Sequence, residues 1–139
     1  MTIARTSQPA FQVKGDHPLT EHYSILGPEV TVGPDGEELG RRNEQLIEEL
    51  LGYDAVVVAG QAKSHCVAWT IDDLLSGDDE VQRLADRVYL LEDCTSPVVV
   101  PGAVDYTDEA DAAFERFAGA GMHVVRSTTP LAEWPGLAA

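Results

Sequence analysis

Cations, aromatic residues and cysteine are all scarce in this chain, and each scarcity excludes something. Nine Lys and Arg stand against 24 Asp and Glu, a formal net charge of −15. Phosphate neutralisation needs clustered Lys and Arg, so the composition argues against nucleic-acid binding, and the same acidity disfavours anionic membrane surfaces. No stretch approaches the roughly 20 apolar residues of a membrane span, and MTIARTSQPAFQVKG carries no signal-peptide apolar core. The two cysteines, Cys66 and Cys94, lack C-x-x-C spacing, which predicts a reduced, cytoplasmic chain rather than a disulfide scaffold. His17, His22 and His123 are scattered without zinc-ligand spacing, and Gly60 belongs to no G-x-G-x-x-G pattern. No metal and no cofactor is expected.

What the chain does have is enough apolar content for a core. At 139 residues, with 44% hydrophobic residues and several Val-rich runs, it reads as one folded domain. The acidity then reads as solvated helix faces and solubility.

The organising stretch is 54–75, DAVVVAGQAKSHCVAWTIDDLL. An apolar run from Ala55 to Ala59 ends at Gly60, and after a short loop Val67, Ile71, Leu74 and Leu75 recur with helical spacing. This predicts a buried strand, a tight loop and an amphipathic helix, with Ser64 as N-cap. Cys66 would then stand in the opening turn, where backbone N–H groups lack intrahelical partners and the helix dipole favours a negative sulfur. Open α/β sheets place their chemistry at this position, outside the carboxyl end of a strand.

Elsewhere, the pattern predicts a short strand at 11–13, a Gly/Pro-rich loop over 15–40 broken by a strand at 30–32, and a helix over 41–51 stopped by Gly52. Asp78 is expected to cap a short helix through Ala85, followed by a buried strand at 88–91 and an extended segment at 98–100. A helix over 105–120 with Ala110, Phe114 and Phe117 inward precedes a strand at 122–125 and an irregular tail. Alternating helices and strands imply right-handed crossovers and a mainly parallel, Rossmann-like sheet in an α/β fold, three layers deep (αβα).

The segment GQAKSHCVAWTIDDLL resembles the nucleophile segment of the nicotinamidase/isochorismatase-like cysteine hydrolases, where a G-x-A-x-x-x-C-V run opens a helix. VKGDHPLTEHYSIL resembles that family's lysine segment, VYLLEDCTSPV the strand after the nucleophile helix, and AFERFAGAGMHVV the last helix and strand. The likeness covers the chain from about Phe11 to Arg126. It implies Cys66 as nucleophile and Lys14 as the triad lysine, with the N–H groups of Ala62 and Cys66 forming an oxyanion hole after a cis Gln61–Ala62 bond. Tyr23 and Gln61 would line a pocket for a small amide substrate. The implied reaction is hydrolysis of a C–N bond through a Cys thioester, in a homo-oligomer. The family's triad aspartate and its metal-binding D-x-H pattern belong upstream of Lys14, yet MTIARTSQPAFQV holds no acidic residue. The chain therefore resembles the C-terminal part of such a hydrolase, with the edge of the 56–58 strand left open.

Each residue also has a plainer explanation. Cys66 alone would more often be a buried small hydrophobe, Lys14 a surface charge, and Cys94 core filler. Tyr23 could equally anchor its loop, Trp69 fits helix packing, and Asp72–Asp73 reads as a solvated helix face. Asp93 is expected to hydrogen-bond a neighbouring loop. Adjacent helical residues diverge, so no direct His65–Cys66 dyad is expected. Two alternatives stand beside the hydrolase: a catalytically silent remnant or partner-dependent fragment of one, and a ligand-binding module with a redox-sensing cysteine.

Overall fold

A computed structural model describes residues 9–137. The elements run α1 (Glu44–Leu51), β1 (Val56–Gln61), a π-helical turn (Lys63–Val67) continuing into α2 (Ala68–Leu75), and α3 (Asp79–Gln82) with a 3₁₀ extension (Arg83–Arg87). There follow β2 (Val88–Ser96), a hairpin of β3 (Val99–Val100) and β4 (Val104–Asp105), α4 (Thr107–Gly119) and β5 (His123–Val125). A last 3₁₀ turn spans Leu131–Glu133.

The caps explain the helix limits. Asn43 accepts a hydrogen bond from Leu46 N–H and starts α1 three residues later than the apolar spacing alone suggests, and Gly52 ends it. Asp78 accepts from the N–H groups of Glu80 and Val81 to open α3, as expected. Gly121 (φ +107°) stops α4, while Met122 N–H reaches back to the Phe117 carbonyl at 3.1 Å. A Cβ on Gly121 would lie 2.7 Å from Asp86 Oδ1, so both conformation and space require glycine here.

The sheet is parallel and ordered β1-β2-β5. Val56, Val57 and Val58 pair with Val88, Tyr89 and Leu90, and β2 pairs on with β5 through Tyr89–His123, Leu90–Val124 and Leu91–Val125. Chain order advances in one direction across the sheet, and right-handed crossovers that advance one way put their helices on one face. Consistently, Ile47 of α1, Ile71 and Leu74 of α2, and Phe114 and Phe117 of α4 share one core with Val88 and Leu90. The opposite face carries Tyr89 and Val125, covered by Trp134 of the C-terminal segment. Trp134 stacks on Tyr89 at 5.4 Å, and the Tyr89 hydroxyl donates to the Pro135 carbonyl at 2.6 Å. The described residues thus supply two of the three expected layers. Among them β1 pairs only with β2, leaving its other edge open, as anticipated.

Several local expectations fail for physical reasons. Residues 11–13 form no strand, for Phe11 and Val13 are 86% and 90% exposed and no described strand lies beside them. The 30–32 strand reduces to one bridge, Val32 to Glu38. β2 runs to Ser96 instead of stopping at Leu91, because it bulges out over Leu91–Cys94 opposite Ala59 and then re-pairs with β1 through Thr95 and Ser96. That excursion carries Cys94 to the surface, so it is not core filler. Residues 98–100 are one arm of the β3–β4 hairpin, a partner that the flanking prolines concealed.

Candidate functional site

The turn that carries Cys66 is fixed by its neighbours. The Ala62 carbonyl accepts from His65 and Val67 N–H at 3.0 and 3.1 Å, the five-residue closure that makes the turn π-helical. Val67 and Ala68 are buried beneath it. Ser64 is not the N-cap: it lies inside the turn, 6% exposed, and its Oγ accepts from Val98 N–H at 3.0 Å, tying the turn to the segment after β2. On the other side, the buried Lys63 ammonium pairs with Asp111 of α4 at 2.5 Å and lies 4.5 Å above the Phe114 ring. The Gln61–Ala62 bond is cis, as the resemblance implies.

Cys66 is half-buried in this turn, at the carboxyl end of β1. Among the described residues its sulfur makes no hydrogen bond. Gln61, also named as a pocket residue, is exposed at the end of β1, where its Oε1 accepts from Ser96 Oγ at 2.9 Å.

Lys14 approaches from a loop. Its ammonium donates to the Tyr23 carbonyl. The Tyr23 ring in turn packs 5.8 Å from His65 and 5.6 Å from Trp69, between the turn and α2. Ile25 N–H donates to Thr70 Oγ1 at 3.3 Å, so the segment after Tyr23 is also fastened to α2. The structure thus links the lysine loop to the Cys66 turn through Tyr23, whose carbonyl accepts from Lys14 and whose ring packs on His65, while among the described residues Lys14 and Cys66 share no hydrogen bond. Tyr23 anchors its loop, since its carbonyl accepts from the lysine and its ring packs against His65 and Trp69.

Trp69 does not pack in the core. It is 38% exposed, stacks with His65 at 6.0 Å and donates from Nε1 to Glu29 at 2.8 Å. Tyr106, just before α4, sets its ring edge-on to His65 at 4.8 Å. Three rings thus surround His65 of the turn. Sequence reasoning missed Lys63, Asp111, Ser64 as a tether, and Tyr106. Only Tyr106 left a signal, an aromatic residue beside the start of a long helix.

Asp93 bonds the neighbouring loop as expected, accepting from both the N–H and the hydroxyl of Ser127 at 2.8 Å. Those bonds, led by the backbone one, hold its carboxyl below the usual aspartate range. Asp72 is not merely solvated, because Arg116 of α4 reaches both its oxygens at 3.0 and 3.1 Å.

Two of the other histidines pack against neighbours. His22 packs its ring over Gly15, where a Cβ would sit 2.3 Å away, and His123 stacks on Tyr89 at 4.7 Å. No helix among the described residues is long and apolar enough to cross a membrane. The chain matches no protein-family model, no curated protein and no solved structure.

Proposed function

We propose that the chain is a cysteine hydrolase acting on a small amide, with Cys66 as nucleophile. The observation that carries this reading is the position of Cys66: in a braced turn between β1 and α2, at the carboxyl end of a parallel sheet, with the lysine loop closing on the same turn. In this reading the sulfur attacks the amide carbonyl and the C–N bond breaks. The amine leaves with a proton, and water then cleaves the thioester to the acid. Lys14 favours the charged sulfur and the developing oxyanion electrostatically, while the N–H groups of Ala62 and Cys66 receive that oxyanion. Tyr23 and Gln61 flank the substrate. The finer fold assignment, an isochorismatase-like domain, belongs to the same proposal.

A second reading is favoured by one observation: among the described residues no carboxylate pairs with Lys14. A triad acid would then come from another segment or a partner, and the isolated chain would be silent. Ammonia release from a panel of small carboxamides separates the two. Release by the purified chain, abolished in Cys66→Ala, supports the first reading and defeats the second. Silence with a hyper-reactive Cys66 selects the second, and silence with an ordinary Cys66 overturns both.

The same family reading expects association between copies, and the open edge of β1 supports it. Sedimentation equilibrium at micromolar concentration checks this, and a monomer mass throughout contradicts it.

A further inference from the structure

We infer that Ser64 locks His65 in the neutral tautomer with its proton on Nε2, making His65 a hydrogen-bond donor beside Cys66 that selects substrates bearing an acceptor. The inference rests on the proposed role of Cys66 only for the word substrate; the tautomer follows from counting protons.

A serine hydroxyl has one proton and two lone pairs. Ser64 Oγ is buried and makes two hydrogen bonds among the described residues: it accepts from Val98 N–H at 3.0 Å, and it meets His65 Nδ1 at 2.8 Å. The Val98 bond has a fixed direction, since a backbone N–H can only donate. One proton then lies between Oγ and Nδ1. Were it on Nδ1, both lone pairs of Oγ would be accepting, and the buried hydroxyl proton would have no described acceptor. Burying an unpaired hydroxyl is costly. If the serine instead donates to Nδ1, every group is satisfied. A neutral imidazole accepting at Nδ1 carries its proton on Nε2.

Nε2 has no partner among the described residues, yet it is not among the buried unsatisfied atoms, so solvent reaches it. The ring around it cannot swing freely. Tyr106 meets it edge-on at 4.8 Å, Trp69 stacks at 6.0 Å and Tyr23 closes at 5.8 Å. The result is an oriented N–H donor one residue from the sulfur, set in an aromatic frame. It suits a planar substrate with a carbonyl or other acceptor and rejects its acceptor-free counterpart, because a site built to give a hydrogen bond is left unpaired by a ligand that cannot take it.

Two measurements test this on the intact chain. The first is two-bond ¹H–¹⁵N correlation of the imidazole rings in mildly alkaline buffer, with His65 assigned by loss of its signals in His65→Leu. We expect a protonated Nε2 and a bare Nδ1 for His65, moving toward a tautomer mixture in Ser64→Ala; a protonated Nδ1 overturns the inference. The second compares alkylation of Cys66 by iodoacetamide, which offers a carbonyl acceptor, with alkylation by allyl iodide, which does not. In both, the sulfur displaces iodide and Cys94 is tracked separately by mass. The ratio of the two rates should fall about tenfold in His65→Leu and recover partly in His65→Gln, which restores an N–H donor. An unchanged ratio removes His65 from selection. Neither readout depends on hydrolysis, so failure here is distinct from failure of the hydrolase reading.

Discussion

The two regions that meet at the candidate site are held in opposite ways. The turn over Lys63–Val67 is braced on every side: Lys63 to Asp111 and Phe114, Ser64 to Val98, and Val67 to the helical core. Among the described residues, the lysine loop spans some thirty residues before α1 with one isolated bridge as its only strand pairing, and Lys14 is attached through one carbonyl. The difference teaches that the fold itself positions the sulfur, whereas the lysine is positioned by a single hydrogen bond. Substitutions should therefore separate stability from chemistry. Changes in the braced turn cost stability, and a change at Lys14 itself should register in chemistry alone.

The largest effect is expected on the braced side. Phe114 is 4% exposed, lies under Lys63 and packs 6.1 Å from Phe117, so Phe114→Ala should destabilise by about 3–5 kcal/mol in urea unfolding. A loss below about 1 kcal/mol would mean that α4 does not anchor the turn. Ser64→Ala removes the acceptor of Val98 N–H and should cost about 1–2 kcal/mol by the same assay. An unchanged midpoint would show that this tether is dispensable. Lys14→Ala should change stability by less than about 0.5 kcal/mol while lowering the alkylation rate of Cys66, the split that sets the loop apart from the turn. Equal losses in both readouts would merge the two regions.

The smallest effect is a slope. The Asp93 carboxyl is held below the usual aspartate range by Ser127, first through its backbone N–H and then through its hydroxyl. A depressed folded value means stability that is fully present above the unfolded aspartate range, near pH 4, and lost as pH falls through the folded value. Asp93→Asn should therefore flatten the loss of stability below about pH 4. An identical acid profile in the variant would show that the Ser127 bonds do not contribute.

Much of the frame was legible in the residues. The Val-rich run, the Val67–Leu75 spacing, and the Phe114 and Phe117 face each declared an element because burial imposes a period on the sequence. Ile71, Leu74, Phe114 and Phe117 are indeed in the core. What was not legible depends on distant partners. Nothing at Lys63 announces Asp111, 48 positions away, and nothing at Ser64 announces Val98, 34 away. The hairpin at 99–105 hid behind two prolines, and the bulge over Leu91–Cys94 lengthened β2 in a way no local pattern records. Only two of the expected layers are seen among the described residues because layer number follows from strand order, and β1-β2-β5 advances one way.

The most direct measurement sets the two cysteines of one molecule against each other. Cys94 is exposed and Cys66 only half-exposed, so access alone favours Cys94. With sub-stoichiometric iodoacetamide at neutral pH and peptide mapping by mass, an activated nucleophile in the braced turn predicts that Cys66 takes most of the label. If Cys94 is labelled first, in keeping with its exposure, Cys66 is an ordinary thiol and the proposed chemistry is wrong.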